Sequence, residues 1–286
     1  MSQHIGPRTV SGTGGSIKRV GNYRIHTFPS ELVTDGLVLN LDAGDPRSYP
    51  SSGTTWTDLS GIGNNGTLVN GPTYTNADGG SIVFDGSDDY VDCGPVANLG
   101  NNFTVKVIAK ADSFSPTYNP LIFRDGNTGN NFQLRFDNSG HIEFRQYGGP
   151  ELRQGTYSVN TWYDICVAVD NLEAKLYVDG QYAASHTFTN DFSDGGNIRL
   201  GRYSYSPVHY FDGNIAQASV YNRALSAAEV AQNYDALKVR YTTYTNTFAP
   251  VCAGSEGKVE VLCVAGGGGG ASGGGGAGGL LYDSAF

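Results

Sequence analysis

Carboxylates gathered in one short turn are the residues of this chain with the clearest potential for chemistry. Asp85, Asp88 and Asp89 lie in the segment SIVFDGSDDYVDCG of residues 81–94, where β-forming residues give way to turn-forming ones. Oxygen ligands in a turn suit Ca²⁺. Aspartate is also a common turn residue, because its side chain accepts hydrogen bonds from nearby backbone N–H groups. We favour this second interpretation, and the sequence predicts no metal site.

A pair of carboxylates on one strand face would indicate glycoside hydrolysis, since retaining glycosidases hold two carboxyl groups about 5–5.5 Å apart. No predicted strand carries such a pair at i and i+2 or i+4. Glu143, Glu151 and Glu173 are isolated acids on polar strand faces, and we expect each to be solvated at the surface.

Other catalytic or metal-binding patterns are also missing from the sequence. The five histidines show no metal-ligand spacing: His4, His26, His141, His186 and His209. No G-x-S-x-G motif and no paired Cys and His occur. The sequence therefore predicts a protein that is not an enzyme and has no catalytic residues and no cofactor.

Aromatic side chains on loops are candidates for ligand binding, because sugar rings stack on flat aromatic faces. The tyrosines with this potential are Tyr147, Tyr203, Tyr205 and Tyr210. Tyrosine-rich loops also pack against other subunits. The sequence leaves both interpretations open, so we assign no binding residue from it.

Alternation of apolar and polar residues predicts the elements that position these side chains. Strand-like segments include Leu37–Leu41, Phe103–Lys110, Phe132–Asp137, Ile142–Arg145, Tyr163–Val169, Ala174–Val178, Gln181–Phe188, Ile198–Leu200 and Ile215–Tyr221. Residues 103, 105 and 107 are apolar, for example, while Thr104, Lys106 and Lys110 fall on the opposite face. Many short strands with one apolar face are typical of an antiparallel sandwich. Asp179-Gly180 between two of them predicts a tight hairpin.

One helix is predicted near residue 226. Ser226 and Glu229 form a capping box, and Val230, Tyr234 and Leu237 share one helical face. We expect this helix to close one edge of the sandwich.

Composition restricts the function classes. The net charge is −9 and no run of Lys or Arg occurs, so we expect no binding to nucleic acid. No apolar stretch is long enough to span a membrane, and the N-terminus lacks the apolar segment of a secretory signal. The cysteines show no C-x-x-C spacing, which argues against zinc and against a disulfide framework. Cys93 and Cys166 fit core positions, while Cys252 and Cys263 could face each other across a hairpin, with the reduced state as the default.

A repeated Phe-Asp-Gly step connects the chain to a known family. Phe84-Asp85-Gly86 recurs as residues 211–213, and the second copy leads into YNRALS at 221–226. With W-x-D-x-S-G at 56–61, these segments resemble laminin-G-like domains of the concanavalin A-like lectin/glucanase superfamily, over roughly residues 37–237. The resemblance implies an all-β concanavalin A-like sandwich, or jelly roll. Calcium sites in such domains add an acid from the closing strand, where this chain has Ala216 and Gln217.

The two ends differ from the middle of the chain. Residues 266–279 are almost all glycine, and the block around them resembles the glycine-rich domains of bacteriophage tail and fibre proteins; Asn22–Phe28 resembles the lead-in to those domains. A glycine run is a flexible linker in isolation, or packs as extended strands in an assembly. The N-terminal arm fits either a disordered end or a segment that anchors to a partner.

These observations predict three regions: an N-terminal arm (1–30), a sandwich (31–238) that folds as a stable monomer with one short C-terminal helix, and a strand with a glycine-rich tail (239–286). The resemblances imply a non-enzymatic structural protein of a bacteriophage virion, as a head-decoration, fibre or tail component. Its expected partners are other virion proteins and copies of itself, with host-surface polysaccharide as a candidate ligand. The alternative is a carbohydrate-binding module of a bacterial surface or secreted protein.

Overall fold

The computed structural model describes residues 16–20, 23–27, 31–96, 99–114, 118–125, 131–146, 149, 151–192, 196–204 and 208–241. In chain order the strands are β1 (Ser16–Val20), β2 (Tyr23–Thr27), β3 (Leu37–Asp42), β4 (Thr55–Trp56), β5 (Gly66–Val69), β6 (Thr73–Thr75), β7 (Ser81–Asp85), β8 (Tyr90–Pro95), β9 (Phe103–Ala111), β10 (Tyr118–Arg124), β11 (Phe132–Asp137), β12 (Ile142–Gln146), β13 (Glu151–Gln154), β14 (Tyr163–Asp170), β15 (Glu173–Val178), β16 (Gln181–Thr187), β17 (Asn197–Leu200), β18 (Arg202–Tyr203), β19 (His209–Tyr210) and β20 (Asp212–Tyr221). The helix α1 spans Ala227–Leu237, and short 3₁₀ turns lie at Ala77–Gly79 and Lys238–Arg240.

Two antiparallel sheets of eight strands form the body of the protein. The first sheet has the order β16-β15-β14-β9-β20-β7-β6, and β3 also pairs with β20. The second sheet has the order β13-β12-β11-β10-β17-β8-β5-β4. The predicted antiparallel sandwich with one helix is confirmed.

The core lies between the apolar faces of the two sheets. Its large buried side chains come from alternate positions of both sheets and include Phe84, Phe103, Phe132, Phe136 and Phe144. Phe103 of the first sheet stacks on Phe132 of the second with ring centres 5.0 Å apart. Cys93 is buried in this core and Cys166 in a second cluster outside it, as the sequence predicts, and both thiols are free.

The helix covers a face of the first sheet and not an edge, so the predicted position was wrong. Val230 packs with Cys166 and Ala168 of β14, and Leu237 packs with Ile108 and Ala216. These are small or apolar side chains on the outer side of the sheet, and they provide the surface that α1 buries. The capping box of Ser226 and Glu229 is confirmed.

Because α1 covers this face, Lys106 is buried. It lies on the outer side of β9 but is buried beside Asp164, with Nζ 2.9 Å from the carboxylate and 3.2 Å from Gln217 Oε1. Gln217 in turn donates to Asn40 Oδ1 at 2.8 Å. The outer face of the first sheet therefore carries a buried polar network across four strands.

The two Phe-Asp-Gly copies lie on neighbouring antiparallel strands. Asp85 is opposite Asp212 and Phe84 is opposite Gly213 in the β7–β20 pair. Gly213 has φ +145°, and a Cβ there would lie 2.3 Å from the carbonyl oxygen of Lys110. Only glycine fits this close approach of two backbones.

The structure contains the hairpin predicted at Asp179-Gly180 and a second one that the sequence did not predict. Asp179 and Gly180 have φ values of 51° and 73° and join β15 to β16, as predicted. In the N-terminal arm, which the sequence predicts to be extended, β1 and β2 pair as an antiparallel hairpin.

The chain divides into two units, residues 1–244 and 245–286. The glycine-rich block, Cys252 and Cys263 lie outside the described residues. In the described part of the chain, no helix has the length and hydropathy that crossing a bilayer requires.

Candidate functional site

The outer side of the second sheet carries a dense set of polar side chains, which we call the polar face. Strand alternation sends Phe132, Leu134 and Phe136 into the core and directs the intervening residues outward. The members of the polar face on β11, β12, β13 and β17 are Gln133, Arg135, Asp137, Glu143, Arg145, Glu151, Arg153 and Arg199.

The centre of the polar face is an ion pair between neighbouring strands. Arg135 lies opposite Glu143, which lies opposite Arg153. Arg135 Nη2 and Nε are 2.6 and 2.7 Å from Glu143 Oε2, and Arg153 Nε is 3.4 Å from Oε1. Glu143 is only 5 % exposed, so the expectation that it is a solvated acid was wrong. The reason is the register, which places it between two arginines. Glu151 and Glu173 lie at the surface, as expected.

Asp137 is held as a carboxylate at the end of β11. Its Oδ1 accepts hydrogen bonds from the backbone N–H groups of Ser139 at 2.8 Å and His141 at 2.9 Å, and Arg153 Nη2 contacts Oδ2. Burial alone would raise the pKa of Asp137, but these donors outweigh burial and lower the pKa to about 2. Asp137 is therefore ionised at neutral pH and has no proton to donate.

Aromatic rings lie directly on the charged groups. The guanidinium of Arg135 is 3.5 Å from the centre of the Tyr118 ring, and His209 contacts the same ring at 4.9 Å. Tyr203 packs on Phe123 at 5.3 Å and is only 8 % exposed, so it is not the exposed loop residue that the sequence suggests.

Of the remaining candidate tyrosines, Tyr210 lies within the described residues. Tyr210 is half-buried on β19, and Arg202 lies 5.9 Å from its ring centre and 4.6 Å from that of Tyr90. Tyr147 and Tyr205, together with His4, lie outside the described residues.

A second ion network lies further along the polar face. Arg199 Nε is 3.2 Å from Asp92 Oδ2, while its Nη1 contacts Asp125 and lies 2.7 Å from Ser204 Oγ. Two pairs of carboxylates therefore share one arginine each: Asp137 and Glu143 share Arg153, and Asp92 and Asp125 share Arg199 at the border of the polar face. Sequence analysis missed both pairs, because their members come from different strands and only the register brings them together.

The turn at residues 85–89 is bound by its own backbone. One carboxylate oxygen from each of Asp85, Asp88 and Asp89 lies within 4.8 Å of the others. Asp85 Oδ1 accepts from Ser87 N at 2.8 Å, and Asp89 Oδ2 accepts from Asp85 N at 3.2 Å. Burial, followed by the charges of Asp85 and Asp88, raises the pKa of Asp89.

Asp212 of the closing strand is a further acid near this turn. Burial and the charges of Asp112 and Asp85 raise its pKa. The family pattern has its closing-strand acid where this chain has Ala216 and Gln217, whereas the β7–β20 register places Asp212 opposite Asp85. Carboxylate oxygens that could ligate a cation therefore lie close together here. Two of the three turn carboxylates, however, already accept hydrogen bonds from backbone N–H groups.

Comparison with known families identifies the fold. A laminin G family model described as the concanavalin A-like lectin/glucanases superfamily matches residues 85–231, just over half of the chain. The chain belongs to this superfamily. Its concanavalin A-like sandwich, predicted from the Phe-Asp-Gly repeat and the YNRALS segment, is thereby established.

Solved structures with the same fold include a sialidase, a domain of an arabinanase and a neurotoxin binding domain. The sialidase of Trypanosoma rangeli with the inhibitor DANA matches with a TM-score of 0.56 and 18 % identity over 74 % of this chain and 34 % of that one. Domain 4 of AbnA, a GH43 extracellular arabinanase from Geobacillus stearothermophilus, in complex with arabinotriose, matches with a TM-score of 0.54 and 16 % identity, over 69 % of this chain and 98 % of that domain. The botulinum neurotoxin serotype G binding domain matches with a TM-score of 0.54 and 15 % identity, over 69 % of this chain and 50 % of that one.

At these identities the likeness shows a lectin-like β-sandwich fold. The chain spans about a third of the length of the sialidases that it matches. Comparison with curated proteins finds no matching relative.

Proposed function

We propose that this protein is a non-enzymatic structural protein of a bacteriophage virion that uses its polar face to bind host-surface polysaccharide. The observation that carries the proposal is the combination, on one sheet face, of aromatic rings with charged side chains fixed by ion pairs. Tyr118 on Arg135 is the centre of this arrangement.

The chemistry of the polar face suits a sugar. Flat rings give apolar contact to the C–H faces of a pyranose, and the exposed Glu151 and Arg153 side chains match its hydroxyls, while the buried Arg135–Glu143 pair holds the face in place. Arg153, at the rim of the polar face, is 44 % exposed on its side chain and is available to a ligand. Since the arginines and acids pair with one another, we expect recognition of hydroxyl patterns and not of net charge.

A binding role fits the polar face better than catalysis. A glycosidase of the usual type needs a carboxylic acid that is protonated at neutral pH. The lowered pKa of Asp137 excludes that residue from this role. Its neighbour Glu143 is occupied by Arg135 and Arg153.

The virion role rests on the ends of the chain. The glycine-rich block at 266–279 and the segment Asn22–Phe28 resemble parts of bacteriophage tail and fibre proteins. In this proposal the ends connect the protein to other virion proteins and to copies of itself, as a head-decoration, fibre or tail component, and the sandwich is displayed outward.

A second candidate is a carbohydrate-binding module of a bacterial surface or secreted protein. The match to nearly the whole of domain 4 of AbnA favours it, because that domain was solved with arabinotriose. In this case the sandwich alone would carry the function.

A glycan array with the full chain tests the binding role. We expect Arg153→Gln to weaken binding to the best glycan at least tenfold. The matched control is Lys175→Gln on the first sheet, where the lysine is 39 % exposed and also pairs with a glutamate, and it should bind like the wild type. No binding to any glycan, or equal loss in both variants, would refute a role for the polar face.

Negative-stain imaging of the same preparation separates the two candidates. Ordered particles or fibres that require residues 1–30 and 239–286 would support the virion role. Glycan binding by a protein that never assembles would instead favour the carbohydrate-binding module.

A further inference from the structure

The free edges of the two sheets differ in how they are protected. Edge strands expose unpaired backbone groups, and proteins protect them by shortness, charge or cover. The edge strands β4 and β6 have two and three residues, and β13 has four, with Glu151 and Arg153 among them. The other side of β3 is covered by the loop before β5, since Leu59 N donates to Asn40 O and Asn40 N donates to Asp58 Oδ1. The remaining edge is β16, which has seven residues.

No charged side chain protects β16. Its sequence QYAASHT contains no acidic residue, no Lys, no Arg and no Pro. Tyr182 on this strand is 59 % exposed and offers an uncharged ring beside the edge. Since the whole chain carries a net charge of −9, this uncharged edge is a place where two copies can approach without opposing carboxylates.

The backbone of β16 also offers free donors and acceptors. Phe188 N donates to Leu172 O at 2.9 Å, and the register pairs Glu173 with Thr187 and Lys175 with Ser185. Hydrogen-bonded and non-hydrogen-bonded pairs alternate in an antiparallel ladder. Ser185 and Thr187 therefore direct their N–H and C=O groups away from β15, and no residue in the described part of the chain pairs with them.

We propose that β16 is the interface through which two copies of this chain form a two-fold symmetric dimer. The strands pair in antiparallel orientation, with Ser185 of each copy opposite Thr187 of the other, and exchange four backbone hydrogen bonds. The first sheets of the two copies then become one continuous sheet. A second copy is the favoured occupant because the edge is neutral along its length, so that two identical strands can pair without like charges facing each other.

This interface lies on a different sheet from the polar face and does not depend on glycan binding. It also departs from the sequence-based expectation that the sandwich is a monomer. In the dimer the sandwich itself supplies one self-contact, and the ends of the chain are not required for it.

Sedimentation velocity on the full chain tests the dimer. We expect dimer mass at about 100 µM and a shift toward monomer on dilution, typical of a small interface. Ser185→Pro removes an outward N–H while leaving the ladder to β15 intact, and should weaken dimerisation at least tenfold. Ser185→Ala keeps that N–H and should dimerise like the wild type.

Amide hydrogen exchange on the wild type keeps the test independent of how the proline variant folds. The N–H groups of Ser185 and Thr187 should become protected as protein concentration rises. Monomer mass at every concentration, or a dimer that Ser185→Pro leaves unchanged, would overturn the proposal. Exchange of these two amides that does not depend on concentration would do the same, and open-ended polymers in place of dimers would exclude the closed two-fold pair.

Discussion

Arg135 lies with its guanidinium carbon 3.5 Å from the centre of the Tyr118 ring, while its nitrogens reach the Glu143 carboxylate at 2.6 and 2.7 Å. One arginine thus supports an aromatic ring and closes a buried ion pair. Because both contacts fix the same guanidinium, the ring and the acid are held in a constant relative position. A surface of this kind loses little side-chain entropy when a ligand binds.

Removing one partner of the Arg135–Glu143 pair should lower the free energy of unfolding strongly, whereas replacing both partners with apolar residues should change it little. We expect Arg135→Met to lower the free energy of unfolding by about 3 kcal/mol, because it leaves a buried carboxylate with only the longer contact to Arg153. The double variant Arg135→Met, Glu143→Leu should recover most of that loss. Urea unfolding of the four proteins of this cycle measures the coupling. Additive losses in the double variant would contradict the prediction.

Low pH should remove the contribution of the Asp137 carboxylate to folding stability. Its folded pKa is lowered from 3.8 to about 2, so the stabilisation is complete above the unfolded pKa and is lost as pH falls toward 2. The lowered pKa corresponds to roughly 2 kcal/mol at neutral pH. We expect Asp137→Asn to be less stable than the wild type at pH 7 and the difference to shrink between pH 4 and 2.

The exposed Asp170 at the end of β14 provides the control for this pH series. Because its side chain is exposed, Asp170→Asn should be about as stable as the wild type at pH 7. A stability difference for Asp137→Asn that does not change with pH would show that the ionised form contributes nothing.

Local patterns of the sequence predict the fold well where one face of a strand is apolar. The alternation in Phe132–Asp137, the turn at Asp179-Gly180 and the capping box at Ser226 all depend on neighbouring residues, and each is confirmed. The resemblance to the superfamily, carried by the Phe-Asp-Gly copies and the YNRALS segment, is confirmed by the family match at residues 85–231.

What the sequence misses depends on contacts between distant strands. The alternating pattern of β9 does not reveal that α1 covers its outer face, so the burial of Lys106 could not be predicted. Glu143 looks like a solitary surface acid until the register places Arg135 and Arg153 beside it. The carboxylate pairs Asp137–Glu143 and Asp92–Asp125 each join residues from different parts of the chain, so alternation along single strands does not predict them.

The Asp58 carboxylate should stabilise the loop that precedes β5. Its carboxylate accepts hydrogen bonds from the backbone N–H groups of Asn40 and Ser60 at 2.8 Å and of Asn64 at 2.9 Å, among others. Asp58→Ala leaves these buried donors without an acceptor, and we expect a loss of about 2–4 kcal/mol in unfolding free energy. Asp45→Ala, which removes the partner of the 80 % exposed Arg47, should cost much less. Equal losses in urea unfolding would refute the assignment.

Removing one charge from the acidic turn at 85–89 should raise the stability of the fold. Burial and neighbouring carboxylates raise the pKa of Asp89, so its ionised form destabilises the fold above that pKa. Asp89→Asn keeps an oxygen that can accept from Asp85 N–H, and we expect it to raise the melting temperature by a few degrees at pH 7. Since backbone donors already occupy this turn, neither Ca²⁺ nor EDTA should change the melting temperature of the wild type by more than about 5 °C. Calcium stabilisation of the wild type that Asp89→Asn abolishes would demonstrate a metal site.

The sandwich should need three residues beyond the predicted boundary at 238. Arg240 Nη1 lies 2.6 and 2.7 Å from the two carboxylate oxygens of the buried Asp42, and the Tyr241 ring lies 5.2 Å from that of Trp162. A chain of residues 31–238 lacks both contacts and leaves Asp42 without its counter-ion. We expect it to unfold with about 3 kcal/mol less free energy than a chain of residues 31–241. Arg240→Met in the longer chain should reproduce most of the loss, which would assign it to the ion pair and not to the aromatic contact. Urea titration followed by tryptophan fluorescence measures all three proteins, and equal midpoints for the two chain lengths would place the end of the domain at residue 238 after all.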